Sequence, residues 1–208
     1  MKLYTLPLGM LQTNCYIVAS EQNHAAIIDP GADAQSVVRA LATLGLEPRL
    51  ILLTHAHYDH IGAVKELRED YPQLQVMLGE EDLDMYTDPE RNLGARFGEA
   101  DRFTGLTWDR ALRDGDTVEL DEITLRVLHT PGHTKGGVCY VGDGVLFSGD
   151  TLFRREVGRT DLYGGSFDAI KASVARLYTL EGDYQVYPGH GDATTLEDER
   201  KNNPYVRG

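Results

Sequence analysis

Cysteine is nearly absent, with only Cys15 and Cys139 in 208 residues. Each has apolar or aromatic neighbours (Tyr16 and Ile17; Val138 and Tyr140), so both read as buried, reduced thiols on strands and not as a disulfide framework. Long apolar runs are missing as well. No stretch approaches the roughly 20 residues of a membrane span. The opening MKLYTLPLGM has one basic residue but no continuous apolar segment, unlike a signal peptide. The expectation is a cytoplasmic protein with no membrane association. Positive charge is scarce: 20 Lys and Arg stand against 33 Asp and Glu, a net charge of −13. Such a surface repels phosphate backbones and anionic headgroups, which argues against nucleic-acid partners and leaves small molecules. No run rich in Pro, Ser or one charge offers a linker. With 41% hydrophobic and 25% charged residues, the chain reads as one domain over 1–208 with its own core.

The first third alternates strand and helix. Residues 14–19 and 25–28 read as strands, the second ending in the turn signal Asp29-Pro30-Gly31. Asp33 can cap a helix whose apolar face is Val37, Val38, Leu41 and Leu44. The run Leu50-Ile51-Leu52-Leu53 has the pattern of a strand buried on both faces. Helical spacing at Ile61, Val64 and Leu67 then continues to Pro72. Residues 88–107 show no clear period and read as an irregular excursion, a rim or lid. Hairpins follow, 116–120 with 123–128 and 137–141 with 145–148, the second turning at Asp143-Gly144. Ser166 opens a helix with Ile170, Val174 and Leu177 inside, and 184–187 is a last strand. Thr194 and Glu197 fit a capping box for a final short helix. The order implies an α/β chain of two similar halves facing each other, although no sequence repeat is visible.

Against this background THAHYDHIG, residues 54–62, holds three of the chain's seven histidines. His55, His57, Asp59 and His60 crowd nitrogen and oxygen donors into a loop directly after a buried strand, where open α/β sheets place ligand sites. At ordinary composition such a pattern arises by accident with odds on the order of 10⁻⁴. Three more donors stand at or just past strand ends, each after a glycine that lets the backbone turn: His133 in HTPGHT, Asp150 in FSGDT and His190 in YPGHG. Imidazole with carboxylate suits zinc, and also iron or manganese. Taken singly, each of the three later residues also fits a turn or a cap.

These motifs, THAHYDH (54–60), TPGHT (130–134), SGDT (148–151) and PGHG (188–191), resemble those of the metallo-β-lactamase-fold hydrolases in order and spacing. The match is closest to the short bacterial branch similar to glyoxalase II, the hydroxyacylglutathione hydrolases. The resemblance implies a four-layer αβ/βα sandwich with the site at one edge between the sheets. It implies two divalent metal ions, with His55, His57 and His133 on the first, Asp59, His60 and His190 on the second, and Asp150 bridging both. It also implies that Asp29 supports the metal loop from behind. The expected activity is hydrolysis of an anionic small-molecule thioester or ester by a metal-held hydroxide. The metals depress the pKa of that water and polarise the carbonyl, and Asp59 orients the nucleophile.

Other residues weigh less. His129 reads as a supporting or core hydrogen bond and His24 as a surface residue. In RREVGR, residues 154–159, three arginines follow the bridging aspartate of an acidic chain. They read either as a solvated loop or as an anion contact, with Arg159 the first choice for a substrate carboxylate. Tyr163 fits a pocket wall or the turn before Ser166. A lactonase would use the same machinery. A persulfide dioxygenase of this fold would hold a single iron on His55, His133 and Asp150. A β-lactamase would be expected to add a cysteine ligand, and a structural zinc module to be closed and rich in cysteine.

Overall fold

The computed structural model describes residues 1–207. Six strands form a first sheet, adjacent in chain order: β1 (Lys2–Leu8), β2 (Thr13–Ala19), β3 (His24–Ile28), β4 (Glu47–Leu52), β5 (Gln75–Gly79) and β6 (Arg110–Leu112). β1 to β3 pair antiparallel and β3 to β6 parallel. The chain then builds β7 (Thr117–Leu120), β8 (Ile123–His129), β9 (Val138–Gly142) and β10 (Val145–Gly149). A two-stranded ribbon follows, β11 (Leu152–Phe153) with β12 (Glu156–Val157). β13 (Gln185–Pro188) and β14 (Thr194–Thr195) complete a second sheet in the order β14-β13-β10-β9-β8-β7. The helices are α1 (Ala34–Leu44), α2 (Tyr58–Ile61), α3 (Val64–Asp70), α4 (Leu83–Tyr86), α5 (Phe167–Tyr178) and α6 (Leu196–Asn202).

Successive strand residues face opposite ways, and here both faces are apolar. Ile17, Ile27 and Ile51 pack outward against Val37 and Leu41 of α1 and Val64 and Leu67 of α3. Their neighbours Val18, Ile28 and Leu52 face inward, toward Val118, Leu125, Val127, Tyr140 and Phe147 of the second sheet. Cys139, Val141, Leu146 and Val186 face outward again, under Ile170, Val174 and Leu177 of α5 and Leu196 of α6. Three cores separate four layers, the αβ/βα sandwich that the motifs imply. Both cysteines are buried and unpaired. Among the described residues, no helix is long and apolar enough to cross a membrane.

Several local expectations shift. β1, β5 and β6 carry no clean alternation, and the sequence pattern alone predicts no strand there. The helix through Ile61 and Leu67 is two short pieces, α2 and α3, because the Ala63 N–H donates to the Pro30 carbonyl at 2.9 Å instead of back along the helix. The final cap is Thr195, whose hydroxyl accepts from the Asp198 backbone N–H at 3.1 Å, one residue later than the expected box. Thr194 instead donates to buried Glu199 at 2.8 Å. The excursion at 88–107 is held by two short 3₁₀ turns, Ala95–Phe97 and Ala100–Phe103.

Leu52 is fully buried between the sheets. We expect Leu52→Ala to destabilise the fold by about 2–5 kcal/mol in urea unfolding. A loss below 1 kcal/mol would mean that the inter-sheet core is not close-packed there.

Candidate metal centre

Every donor lies just beyond the C-terminal end of a strand. His55, His57, Asp59 and His60 follow β4, His133 follows β8, Asp150 follows β10 and His190 follows β13. The two sheets therefore bring their donors together at one shared edge. Three overlapping groups have donor atoms within 4.8 Å of one another: His55, His57 and His133; His55, His60 and Asp150; Asp59, His60 and His190.

The separations have a metal-ligand spacing. Two donors each about 2.1 Å from a tetrahedral ion stand ~3.4 Å apart. Here His60 Nε2 is 3.4 Å from Asp150 Oδ1 and 3.6 Å from Asp59 Oδ2. His133 Nε2 is 3.4 Å from Asp150 Oδ2. His190 Nε2 is 3.1 Å from Asp59 Oδ2 and 3.7 Å from Asp150 Oδ2. His57 Nδ1 faces His133 Nε2 at 2.9 Å. The Nε2 atoms of His55, His57 and His60 and Oδ1 of Asp150 are buried without a hydrogen-bond partner. Each such orphan costs about 1–3 kcal/mol unless something else satisfies it. Four of them in one cluster fit a set of donors meant for cations.

What lies behind the rings sets their direction. Asp29, at the end of β3, accepts from the Thr54 backbone N–H at 2.7 Å and from its hydroxyl at 2.6 Å. It also lies 3.0 Å from His60 Nδ1. His133 Nδ1 lies 2.8 Å from the Arg159 carbonyl and His190 Nδ1 3.2 Å from the Leu11 carbonyl. An acceptor at Nδ1 fixes the proton there and leaves the Nε2 lone pair for a metal. Thr13 Oγ1 donates to Asp59 Oδ2 at 3.0 Å. Gly189 is required by the ligands themselves, since a Cβ there would overlap Asp150 Oδ1 and the His60 ring. Gly132 has a different reason: with φ at 135°, it lets the loop lie against the backbone of Ile170 in α5.

Charge is strongly redistributed among these groups. Burial and the neighbouring histidines push His55 and His57 well below the ordinary imidazole pKa, so both are neutral donors. Burial also opposes a charge on His60, yet Asp59, Asp150 and Asp29 outweigh it and raise its pKa to about 10. Burial resists the Asp59 charge too, but His60, His190 and His57 hold its carboxyl well below the usual range.

Two of the sequence-derived candidates lie elsewhere or are already engaged. Tyr163 does not line the cavity: its hydroxyl donates to Asp84 at 2.9 Å and its ring lies beneath Arg91 and Lys135. Arg159 lines the cavity, but its guanidinium makes two hydrogen bonds to Asp161, at 2.7 and 2.8 Å. His129 sits at the end of β8 with Nε2 2.8 Å from the Lys135 carbonyl, away from the donors. His24 is half-buried and paired with Asp121 at 2.8 Å.

Asp82 was missed. Its buried carboxylate accepts from Ala56 N–H (3.1 Å), Thr134 Oγ1 (2.8 Å) and Gly136 N–H (2.7 Å). Ala56 stands between His55 and His57, and Thr134 follows His133, so Asp82 clamps two donor loops together. It comes just after β5, the same strand-end position as the donors, and β5 itself gave no clear sequence signal.

The donors open onto a cavity of about 740 Å³, lined by Asp59, His133, Asp150 and His190 and by apolar Leu11, Phe97 and Phe153. That volume takes a substrate of drug-like size. Residues 8–190 match the profile of the metallo-beta-lactamase superfamily. The chain belongs to that superfamily. It is 32% identical to a Haemophilus influenzae protein named hydroxyacylglutathione hydrolase GloC, over 99% of this chain and 98% of that one. Among solved structures, the B3 metallo-β-lactamase BLEG-1 superposes with a TM-score of 0.93 at 37% identity, covering both chains fully. TTHA1623 in a di-iron-bound form gives 0.87 at 39% identity, over 98% of this chain and all of that one. As a member of the metallo-β-lactamase superfamily, the chain is a metal-dependent hydrolase with a histidine–aspartate site.

Two expectations follow. Asp82→Ala should weaken metal affinity about 10–100-fold in a chelator competition, with the fold intact by circular dichroism. Unaltered affinity would show that the clamp does not position the donors. Ligation must also displace the proton that the carboxylates hold on His60, so metal uptake should release protons and affinity should fall as pH decreases. Calorimetry in buffers of different ionisation enthalpy checks this; zero net release at pH 7 would contradict the raised His60 pKa.

Proposed function

We propose that the chain is a dinuclear thioesterase that hydrolyses acylglutathione-type thioesters. The convergence of all seven donors beside a roomy cavity carries this reading. Zinc is the expected metal, and iron or manganese suits the same donors. His55, His57 and His133 would hold one ion, Asp59, His60 and His190 the other, with Asp150 between them. Two such ions supply a water acidified toward neutral pH and a Lewis acid for the carbonyl. The similarity to the H. influenzae hydroxyacylglutathione hydrolase supports the thioester as substrate.

The protein groups have definite tasks. Asp59 is held ionised by its histidine neighbours and fixed by Thr13, so it can accept a hydrogen bond from the attacking water and orient it. The oxygen joins the acyl carbon, the C–S bond breaks, and the proton passes to the departing thiolate. Products are a carboxylic acid and a free thiol. Leu11, Phe97 and Phe153 offer apolar wall to the carrier.

The likeness to BLEG-1 favours a second reading, hydrolysis of a β-lactam ring. Neither Cys15 nor Cys139 is among the donors, so the site is a set of histidines and aspartates alone. A mononuclear iron dioxygenase would leave His57, Asp59, His60 and His190 without a role, although they meet the other donors closely.

The test is thiol release from S-lactoylglutathione by zinc-loaded protein, with metal content measured alongside. We expect two metals per chain and a fall in kcat of about 100-fold or more for Asp59→Ala. Cleavage of a chromogenic cephalosporin with no thiol release would move the assignment to the β-lactam. One iron per chain with oxygen uptake would move it to the dioxygenase.

A further inference from the structure

Three arginines line the cavity: Arg96, Arg154 and Arg159. Two are already satisfied. Arg154 pairs with Asp192 at 3.2 Å, and Arg159 makes its two-pronged contact with Asp161. A substrate carboxylate can take either only by displacing a partner that water otherwise leaves in place. Among the described residues, the Arg96 guanidinium has neither an ion pair nor a hydrogen bond. In a chain with 13 more acidic than basic side chains, a free cation facing the reaction cavity is unusual.

Arg96 is also held in register with the donors. It lies on the 3₁₀ turn Ala95–Phe97, inside the excursion that the sequence left without a period. The Tyr58 backbone N–H donates to the Asn92 carbonyl at 2.9 Å, and the Phe97 ring stacks on the Tyr58 ring at 4.4 Å and 14°. Tyr58 stands between His57 and Asp59, so the turn is fastened to the metal loop itself. Buried Asn92 closes the turn from inside by accepting the Gly94 N–H at 2.8 Å, and buried Phe103 packs beneath Gly94. Of the acids lining the cavity, Asp59 and Asp150 face the histidines, Asp192 is paired, and Glu156 forms no ion pair among the described residues, with Arg96 or any other cation.

We propose that Arg96 is the residue that selects anionic substrates, by binding a carboxylate on the thiol carrier while the acyl group lies at the donors. This rests on the thioesterase reading above and assigns the anion contact to the excursion, not to Arg159. A fork of guanidinium donors matches a carboxylate in a way that an ammonium does not.

The experiment compares S-lactoylglutathione with its diethyl ester, which keeps the thioester and removes both carboxylate charges while adding only two ethyl groups. On zinc-loaded protein, Arg96→Gln should raise KM for the free acid about 10-fold. It should leave kcat and all diester kinetics close to wild type, and Arg96→Lys should recover part of the loss. Calorimetric binding of the thioether S-methylglutathione reads the same contact without the reaction and should weaken by a similar factor. Equal effects on acid and diester would reduce Arg96 to a wall residue and overturn the proposal. So would a preference for the acid that survives Arg96→Gln and disappears in Arg159→Gln. Binding of the thioether that depends on Arg96, with no thioester turnover by wild type, would uphold the anion contact and sink the thioesterase reading instead. No dependence of binding on Arg96 would overturn the contact whatever the turnover.

Discussion

The carboxylate of Asp29 receives the Thr54 backbone N–H, the Thr54 hydroxyl and His60 Nδ1 at a position shut off from solvent. Removing any of these partners would leave a buried charge short of a hydrogen bond, so the three stay together. One link fixes where the chain leaves β4, and another fixes which His60 nitrogen is left for a metal. The carboxylate reaches both only because β3 and β4 run parallel in register, Ile28 opposite Leu52, with the Asp29 N–H donating to the Leu52 carbonyl at 3.1 Å. The residue itself sits at a φ of 50°, a conformation that aspartate tolerates better than most side chains. The metal loop inherits its geometry from a pairing between two buried strands.

On the other side, the loop carrying His190 is held by the first sheet as much as by its own. Asn14 donates to the carbonyls of Pro188 and Gly191, and the Tyr16 hydroxyl to that of Pro188. The Tyr140 hydroxyl reaches from β9 to the Leu53 carbonyl, and the Val138 N–H to that of Thr54. Asp82 completes the set by joining the His55–His57 loop to the one after His133. The two sheets are thus joined by hydrogen bonds along the edge where the donors meet, by a second group in which Ser20 and His24 meet Asp121 at the β7–β8 turn, and by apolar packing between them.

The donors were readable because metal chemistry demands specific side chains in tight spacing, and that demand shows directly in THAHYDHIG. The long buried strands and α1 were readable because period and capping agree there. What packing alone decides was not readable. β6 is three residues long and β5 has no alternation, so nothing local marked Asp82 as a strand-end residue. Thr194 and Thr195 both precede acidic residues, and only the burial of Glu199 decides which hydroxyl caps α6. Arg159 was conspicuous in sequence for its charge, yet Asp161 two residues on uses that charge. Arg96 was inconspicuous in a segment with no period, and its turn is fastened at the cavity by the stacking of neighbouring Phe97 on Tyr58, which no local pattern encodes.

The distribution of donors links the site to the stability of the sandwich. Four of the seven come from the loop after β4 in the first sheet, and three from loops of the second. Ions bound by this set would be held by both halves together and by neither alone. Ligation then favours the closed arrangement of the sheets by mass action, since separated halves present only part of each donor group. The same arrangement explains why like-charged and desolvated groups are tolerated so close together. His55 and His57 are driven neutral, while His60 and Asp59 hold opposite charges against the cost of burial. The inter-sheet core, with Leu52, Val127, Tyr140 and Phe147, supplies the free energy that keeps such a costly polar cluster assembled. A hydrolytic site at this edge is therefore a local cost that the sandwich as a whole sustains.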